Sequence, residues 1–234
     1  FGFNHHQAQL PASRVVFELD AAVRALDQPS ADGVNTYFVA KAAREAGLTV
    51  ALSGLGGDEV FAGYPNFRTF GSMLRGTRAT RFAADLIARR LSRSAAFDGM
   101  PHRLRKLAGL LSTRGAPAAV YSVLRSMFAP EEQKALTTDG LFNGVGLLSV
   151  ASPNGFDDEF AHGSIDAVNA FSAFELSNYL PNTLLRDADV MGMAHAVEVR
   201  VPLIDHRLIE KVASIPGHLK VNRGQNKSIL AAAV

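Results

Sequence analysis

The sequence predicts an α/β chain, with a partial parallel sheet near its start and a large, mostly helical remainder. Three observations predict it. Leu48-Thr49-Val50-Ala51-Leu52 is a short apolar run behind a helical pattern, the order expected of a strand buried on both faces of a parallel sheet. Ser53-Gly54-Leu55-Gly56-Gly57-Asp58-Glu59 follows, a loop too rich in glycine to continue as ordinary strand. Beyond Tyr64-Pro65, apolar residues recur at helical spacing, and little alternates in the manner of a strand.

The composition is that of a packed chain. Its 234 residues are 47% hydrophobic and 20% charged, which predicts a sizeable core rather than disorder. No apolar run approaches the ~18 residues that span a bilayer, so no membrane association is expected. There is no cysteine, which excludes disulfides, thiolate metal sites and a cysteine nucleophile within these residues and fits a cytoplasmic setting. The first residue is Phe1 and no signal pattern follows, so the sequence reads as a piece of a longer protein. The net charge of +2 says nothing about nucleic acid, but the local balance differs. Between Arg68 and Arg114, eleven Lys/Arg stand against two acids, Asp85 and Asp98. The plain reading is a solvated helix face, and the functional one is a docking surface for an acidic partner. No aromatic interleaving accompanies these cations, so nucleic acid is not favoured.

The elements follow in order. Residues 1–14 are polar, and the adjacent His5 and His6 would make a poor metal pair. Val15-Val16-Phe17 reads as a short strand and Glu18 to Leu26 as a short helix. Residues 27–33 form a loop, with Asp32 as the N-cap of a helix over about 34–46 that Gly47 terminates. Strand 48–52 and the glycine loop come next. Residues 66–150 read as helices broken at Gly76, Gly99-Met100-Pro101, Gly115-Ala116-Pro117 and Ala129-Pro130, with Phe82, Leu86, Ile87 and Leu91 as the clearest apolar stripe. Asp157, Asp158 and Glu159 belong to a solvated loop. A helix then runs from Ser164 or Asp166 to Leu180 and is interrupted by Pro181. Asp205 caps another, which ends at Pro216-Gly217, and Lys227 opens a last helical segment. The expected parts are 1–65, 66–160 and 161–234.

The chemistry centres on the glycine loop. Glycines let backbone N–H groups turn towards phosphate oxygens, and the carboxylates of Asp58 and Glu59 at the loop's end suit Mg²⁺. The loop leaves the carboxyl end of a strand, where open α/β sheets place ligands. A Mg²⁺–nucleotide site is one reading, and a glycine-rich turn with an acidic helix start is the plain alternative.

Ser53–Tyr64, Asp189–Asp205 and Lys227-Ser228-Ile229-Leu230 together resemble the synthetase part of asparagine synthetases and their relatives, which include β-lactam synthetases and the ring-closing enzymes of lasso peptides. The resemblance implies a fold of the adenine-nucleotide α-hydrolase type and ATP-dependent amide formation. A carboxylate attacks the α-phosphorus of ATP, pyrophosphate leaves, and ammonia from glutamine attacks the acyl carbon. ATP and Mg²⁺, a small-molecule carboxylate and glutamine or ammonia are therefore the expected ligands, with a homodimer as a candidate assembly. By the same resemblance Ser53 and Gly54, with Gly56 and Gly57, pack beside the nucleotide. Asp58 binds Mg²⁺ on the pyrophosphate side, and Lys227 faces phosphate. Glu175 lies where some relatives place an acid that helps activate the amine, although a solvated or helix-paired glutamate is the plain reading. Arg186 either reaches phosphate or caps a helix end. Asp189, Glu198 and Arg200 are expected in structural ion pairs, and His195 as a packed histidine.

The departures matter equally. The family's serine-glycine-glycine-x-aspartate-serine loop and its glutaminase domain lie outside this sequence, so the piece alone is expected not to catalyse. Leu55 stands where asparagine-forming relatives carry glutamate and β-lactam-forming ones tyrosine, and Gly192 replaces a common serine. An aliphatic residue neither takes a proton nor binds an amine, which points away from aspartate as the substrate. Two rivals follow: ring closure on an amine of the substrate itself, and a non-catalytic helical interaction module on a degenerate nucleotide-binding fold.

Overall fold

The computed structural model describes residues 2, 5, 7–75, 78–92, 101–129, 132–133, 165–221 and 227–233. Several expectations lie outside them: the breaks at Gly76, Gly99 and Pro130, and the acids Asp157, Asp158 and Glu159. The described residues are mostly helical, with one two-stranded parallel sheet. They divide into two compact units, residues 1–56 with Tyr179–Leu208 and residues 57–178 with Ile209–Val234.

In the first unit, α1 (Ala12–Ala25) and α2 (Ala31–Glu45) precede β1 (Val50–Leu52). The expected strand at Val15-Val16-Phe17 is instead part of α1. β-branched residues lower helix propensity only slightly, and α1 packs against α2. The expected cap also differs. Ser30, not Asp32, caps α2, and its Oγ accepts from Gly33 N at 3.2 Å. Asp32 is engaged elsewhere, accepting the Tyr179 hydroxyl at 2.9 Å. Gly47 ends α2 as expected, at φ +86°, a left-handed conformation that glycine adopts freely.

β1 pairs in parallel with β2 (Glu198–Arg200), in the register Val50↔Glu198, Ala51↔Val199 and Leu52↔Arg200. The parallel pairing fits the expected α/β class, but the expected burial on both faces does not hold. Val50 is 39% exposed and Leu52 77%. With a single partner strand among the described residues, β1 has no broad sheet for helices to cover.

The second unit is helical: α3 (Gly57–Val60), α4 (Asn66–Leu74), α5 (Arg78–Ser92), α6 (His102–Ser112), α7 (Pro117–Arg125) and α8 (Ala167–Phe174). Asp166 caps α8, accepting from Val168 N and Asn169 N. Phe67 and Phe70 of α4, Tyr121 of α7 and Phe171 and Phe174 of α8 form the centre of the core. Phe171 meets Phe67 edge-on with ring centres 4.6 Å apart, and Phe174 stacks on Tyr121 at 4.9 Å, both favoured aromatic geometries. The stripe on α5 is not core. Phe82, Leu86 and Ile87 are exposed, whereas Asp85 and Ala88 are buried, Asp85 against Arg114 at 2.6 Å. The spacing is helical, but α5 presents its other face to α6.

Pro181 does not interrupt the later helix. α8 runs into a π-helical segment, Glu175–Leu185, that contains Pro181 and continues into α9 (Arg186–Met193). Wider i→i+5 turns replace the ordinary helical ladder here, so the ring and the missing N–H of proline do not end the helix. Asp205 caps His206–Ala213, accepting from Arg207 N at 2.9 Å, and Gly217 starts a further short helix rather than loop.

Candidate active site

The glycine loop leaves β1 with Ser53 N donating to Arg200 O at 2.8 Å. Leu55 N donates to Ser53 Oγ at 3.3 Å, which folds the loop on itself. Gly54 is exposed, and a side chain there would meet nothing. Gly56 is required by the backbone. It has φ +86°, and a Cβ would lie 2.1 Å from Ile204 Cγ2. Gly192 is explained in the same unit, because a Cβ would stand 2.7 Å from the Val197 carbonyl oxygen, leaving no room for the serine common there.

Gly57 is buried at the start of α3, and Asp58 follows it. Asp58 Oδ2 pairs with Lys227 Nζ at 2.9 Å, and each side chain is about one-third exposed. The structure thus brings together two predicted site residues that lie far apart in the sequence. Gly63 permits it, since a Cβ there would fall 1.8 Å from Asp58 Oδ1 and 2.9 Å from Lys227 Cε. The backbone closes the same turn, with Gly63 N donating to Asp58 O at 2.9 Å. Ala62 and Lys227 both sit in the left-handed region, at φ 58° and 53°. Such conformations are uncommon for non-glycine residues and collect at functional positions.

Glu59, expected beside Asp58 as a hard-oxygen group, turns inward. It is buried and accepts the Tyr64 hydroxyl at 2.7 Å, while Ser172 Oγ donates to its main-chain oxygen. Burial, and next the hydrogen bond to Glu59, push the Tyr64 hydroxyl far above its ordinary pKa, so it stays a proton donor. Arg125 lies over the Tyr64 ring at 4.6 Å and holds both oxygens of Glu175. Glu175 is fully buried and paired with a helix residue, Arg125, so of its plain readings the solvated one does not hold and the paired one does. Burial raises its carboxyl above the ordinary range, and Arg125 acts in the opposite direction. Tyr64, Gly63 and Arg125 were not singled out by residue pattern. The only sequence signal for the first two was their place in the motif that ends at Tyr64.

In the first unit, Arg186 pairs with Asp27 at 2.7 Å. The neighbouring Asp187 accepts from Ser30 Oγ, and burial raises its carboxyl. Glu198 and Arg200 form the expected structural pair at 2.7 Å. His195 packs edge-on against Tyr37 at 4.3 Å between ring centres, and burial lowers its pKa.

A small parallel sheet, a helical body, a glycine loop and an aspartate–lysine pair define the class as a mostly helical α/β protein with a charged site just after its loop. A family model described as asparagine synthase matches residues 1–234, and the chain belongs to the asparagine synthase family. It is 27% identical over 228 residues to Bacillus subtilis asparagine synthetase [glutamine-hydrolyzing] 1, a match that covers 92% of this chain and 33% of that one. It is 25% identical over 237 residues to the corresponding enzyme 3 of the same organism, covering 100% of this chain and 31% of the relative. A Mycobacterium tuberculosis protein provisionally named as a glutamine-hydrolysing asparagine synthetase is 27% identical over 248 residues, covering 100% and 34%. The chain therefore spans about a third of the length of these relatives. No solved structure matches it. Among the described residues no helix is long and apolar enough to cross a membrane.

Proposed function

We propose that this chain supplies part of the adenylation site of an ATP-dependent, amide-forming ligase with a fold of the adenine-nucleotide α-hydrolase type. The observation that carries the reading is the Asp58–Lys227 pair beside Gly63. The reaction joins a carboxylate oxygen to the α-phosphorus of ATP and breaks the α–β bridge, releasing pyrophosphate. Ammonia derived from glutamine then attacks the acyl carbon, and AMP leaves.

Asp58 is the loop carboxylate left accessible, because Glu59 is sealed by Tyr64. Among the described residues no cluster of three metal-ligating side chains exists. A lone carboxylate fits Mg²⁺, which takes one or two protein oxygens and completes its shell with water and phosphate. Asp58 would hold the ion, which supplies positive charge next to the leaving pyrophosphate. Lys227, a mobile point charge, exchanges Asp58 for phosphate and balances the charge that develops there. Gly57, at the start of α3, would offer its backbone N–H to the nucleotide, and Glu175, in the same unit, is held in its ion pair with Arg125.

Leu55 favours a carboxylate substrate other than aspartate, since it can neither accept a proton nor bind an amine. The test uses the full-length protein with ATP, Mg²⁺ and glutamine or ammonia, following pyrophosphate release with and without added acids. Release that depends on an acid other than aspartate, with amide formed, is the expected result. Aspartate-dependent asparagine formation would overturn the substrate assignment alone. A Lys227→Met variant that retains full release would overturn the site.

A further inference from the structure

A cavity of about 640 Å³ lies in the helical unit, between the start of α8, the π-helical segment and the helix His206–Ala213. Its size is that of a small-molecule site. Val60, Leu176 and Ile209 give it apolar walls, and Asn169, Ser177, Lys220 and the carboxylate of Asp166 add polar groups. Neither Asp58 nor Lys227 lines it.

Lys220 is the unusual member. Only 2% of it is exposed. Among the described residues its ammonium donates to a neutral acceptor, Asn169 Oδ1 at 2.5 Å, rather than to a carboxylate. Asp166 is the acid nearest in effect, but its oxygens are already taken. They accept the backbone N–H groups of Val168, Asn169 and Gly217 and the side-chain amide of Asn169. Asn169 is held in turn by donation to Ile215 O at 3.1 Å, which fixes its oxygen towards the lysine. Burial pushes the Lys220 amine down to about 8, against the opposing pull of Asp166. A buried cation without a counter-ion is costly, and an anion that enters the cavity removes that cost.

We propose that this cavity binds a small organic carboxylate with an apolar tail, its carboxylate against Lys220 and its tail against Val60, Leu176 and Ile209. The assignment does not rest on the amide-forming reading. Ligand charge selects for Lys220, and the apolar walls select against inorganic anions.

The test uses the full-length protein and 4-methylpentanoate, with the neutral 4-methylpentanamide as control. Calorimetry gives affinity, and NMR of isotope-labelled lysine side chains reads the Lys220 resonance directly. The acid is expected to bind about tenfold or more tighter than the amide and to shift the Lys220 signal. Lys220→Met should abolish that preference, and Lys220→Arg should keep part of it. Ser177→Trp, which fills the cavity from an exposed position, should abolish binding while Lys220 remains. Lys227→Ala should leave binding unchanged, which separates this site from the adenylation site. Equal affinity for acid and amide, no binding at millimolar acid, or undiminished binding in Ser177→Trp would each overturn the proposal. If Lys220→Met does not fold, the acid–amide comparison and Ser177→Trp decide it.

Discussion

Two ion pairs in the helical unit differ in almost every physical respect. Glu175 is fully buried and held through both oxygens by Arg125, which is itself covered by the Tyr64 ring. Asp58 and Lys227 meet through one contact, each about one-third exposed, and the lysine backbone is left-handed. A buried bidentate pair beside aromatic rings is shielded from competing water and ions. A single contact at the surface exchanges readily, because water and ions compete for both charges. The difference fits two roles: Arg125–Glu175 fixes α7 against the start of the π-helical segment, and Asp58–Lys227 is the pair that the proposed function assigns to ligands.

Breaking the buried pair from one side is the largest effect to expect. Arg125→Met keeps a long apolar stem but leaves Glu175 without its counter-charge, a loss of about 3–5 kcal/mol for pairs of this kind. Urea unfolding measures it. Glu175 titrates above its ordinary value of 4.5 in the fold, so the folded chain keeps a proton that the unfolded chain has released. Its contribution to stability therefore falls as pH rises from that ordinary value through the raised one. Without Arg125 the raise is larger, so the variant's deficit should be greater near about pH 8 than near about pH 5. An equal deficit at both would show that Glu175 is not the group that suffers.

Gly63→Ala tests how tightly the exchangeable pair is placed. The new methyl falls 1.8 Å from Asp58 Oδ1, so the carboxylate must move. The moving atom is the free end of a one-third exposed side chain, so stability should change little while pyrophosphate release falls. Unchanged release would mean that the proposed function does not need the pair in this position.

Much of this fold was legible locally. The breaks before α4 and α7, the end of α2 at Gly47 and the cap at Asp205 follow from single residues whose chemistry punctuates a helix, and Asp166, one of the two starts expected for α8, caps it. The failures come from distant partners. Asp32 is a good cap in isolation, but Tyr179 claims its carboxylate and Ser30 takes the capping role. Phe82, Leu86 and Ile87 have core spacing, yet α5 buries Asp85 and Ala88 instead. The apolar residues of β1 read as core, but the sheet has too few strands to cover. At the site, the motif identified Asp58 and Lys227 as candidates, whereas the inward turn of Glu59 and the Arg125–Glu175 pair depend on helices far apart in sequence. Spacing within a segment carries no record of which face a remote helix will meet.

Lys227→Met separates function from stability within the comparison. An ion pair this exposed contributes about 0.2–1 kcal/mol, so urea unfolding should barely change. Pyrophosphate release in the full-length protein should fall about 10²–10³-fold, the usual loss when one charge-stabilising group is removed. A large stability loss without loss of release would reverse the assignment and make this pair the structural one.

The smallest effect belongs to the pair that is most exposed of the three. Glu198 and Arg200 have side chains 56% and 62% exposed and meet at 2.7 Å across two residues of β2. The hydrogen bond from Arg200 draws the Glu198 carboxyl below its ordinary range, but water reaches both groups. The pairing of β1 with β2 runs through backbone atoms, including Glu198 N to Thr49 O at 2.9 Å, and does not use this side chain. Glu198→Gln keeps an acceptor for Arg200, so the urea midpoint should not move. A measurable fall would show that exposure is not what ranks the three pairs, and that the side chains of β2 hold the short sheet in register.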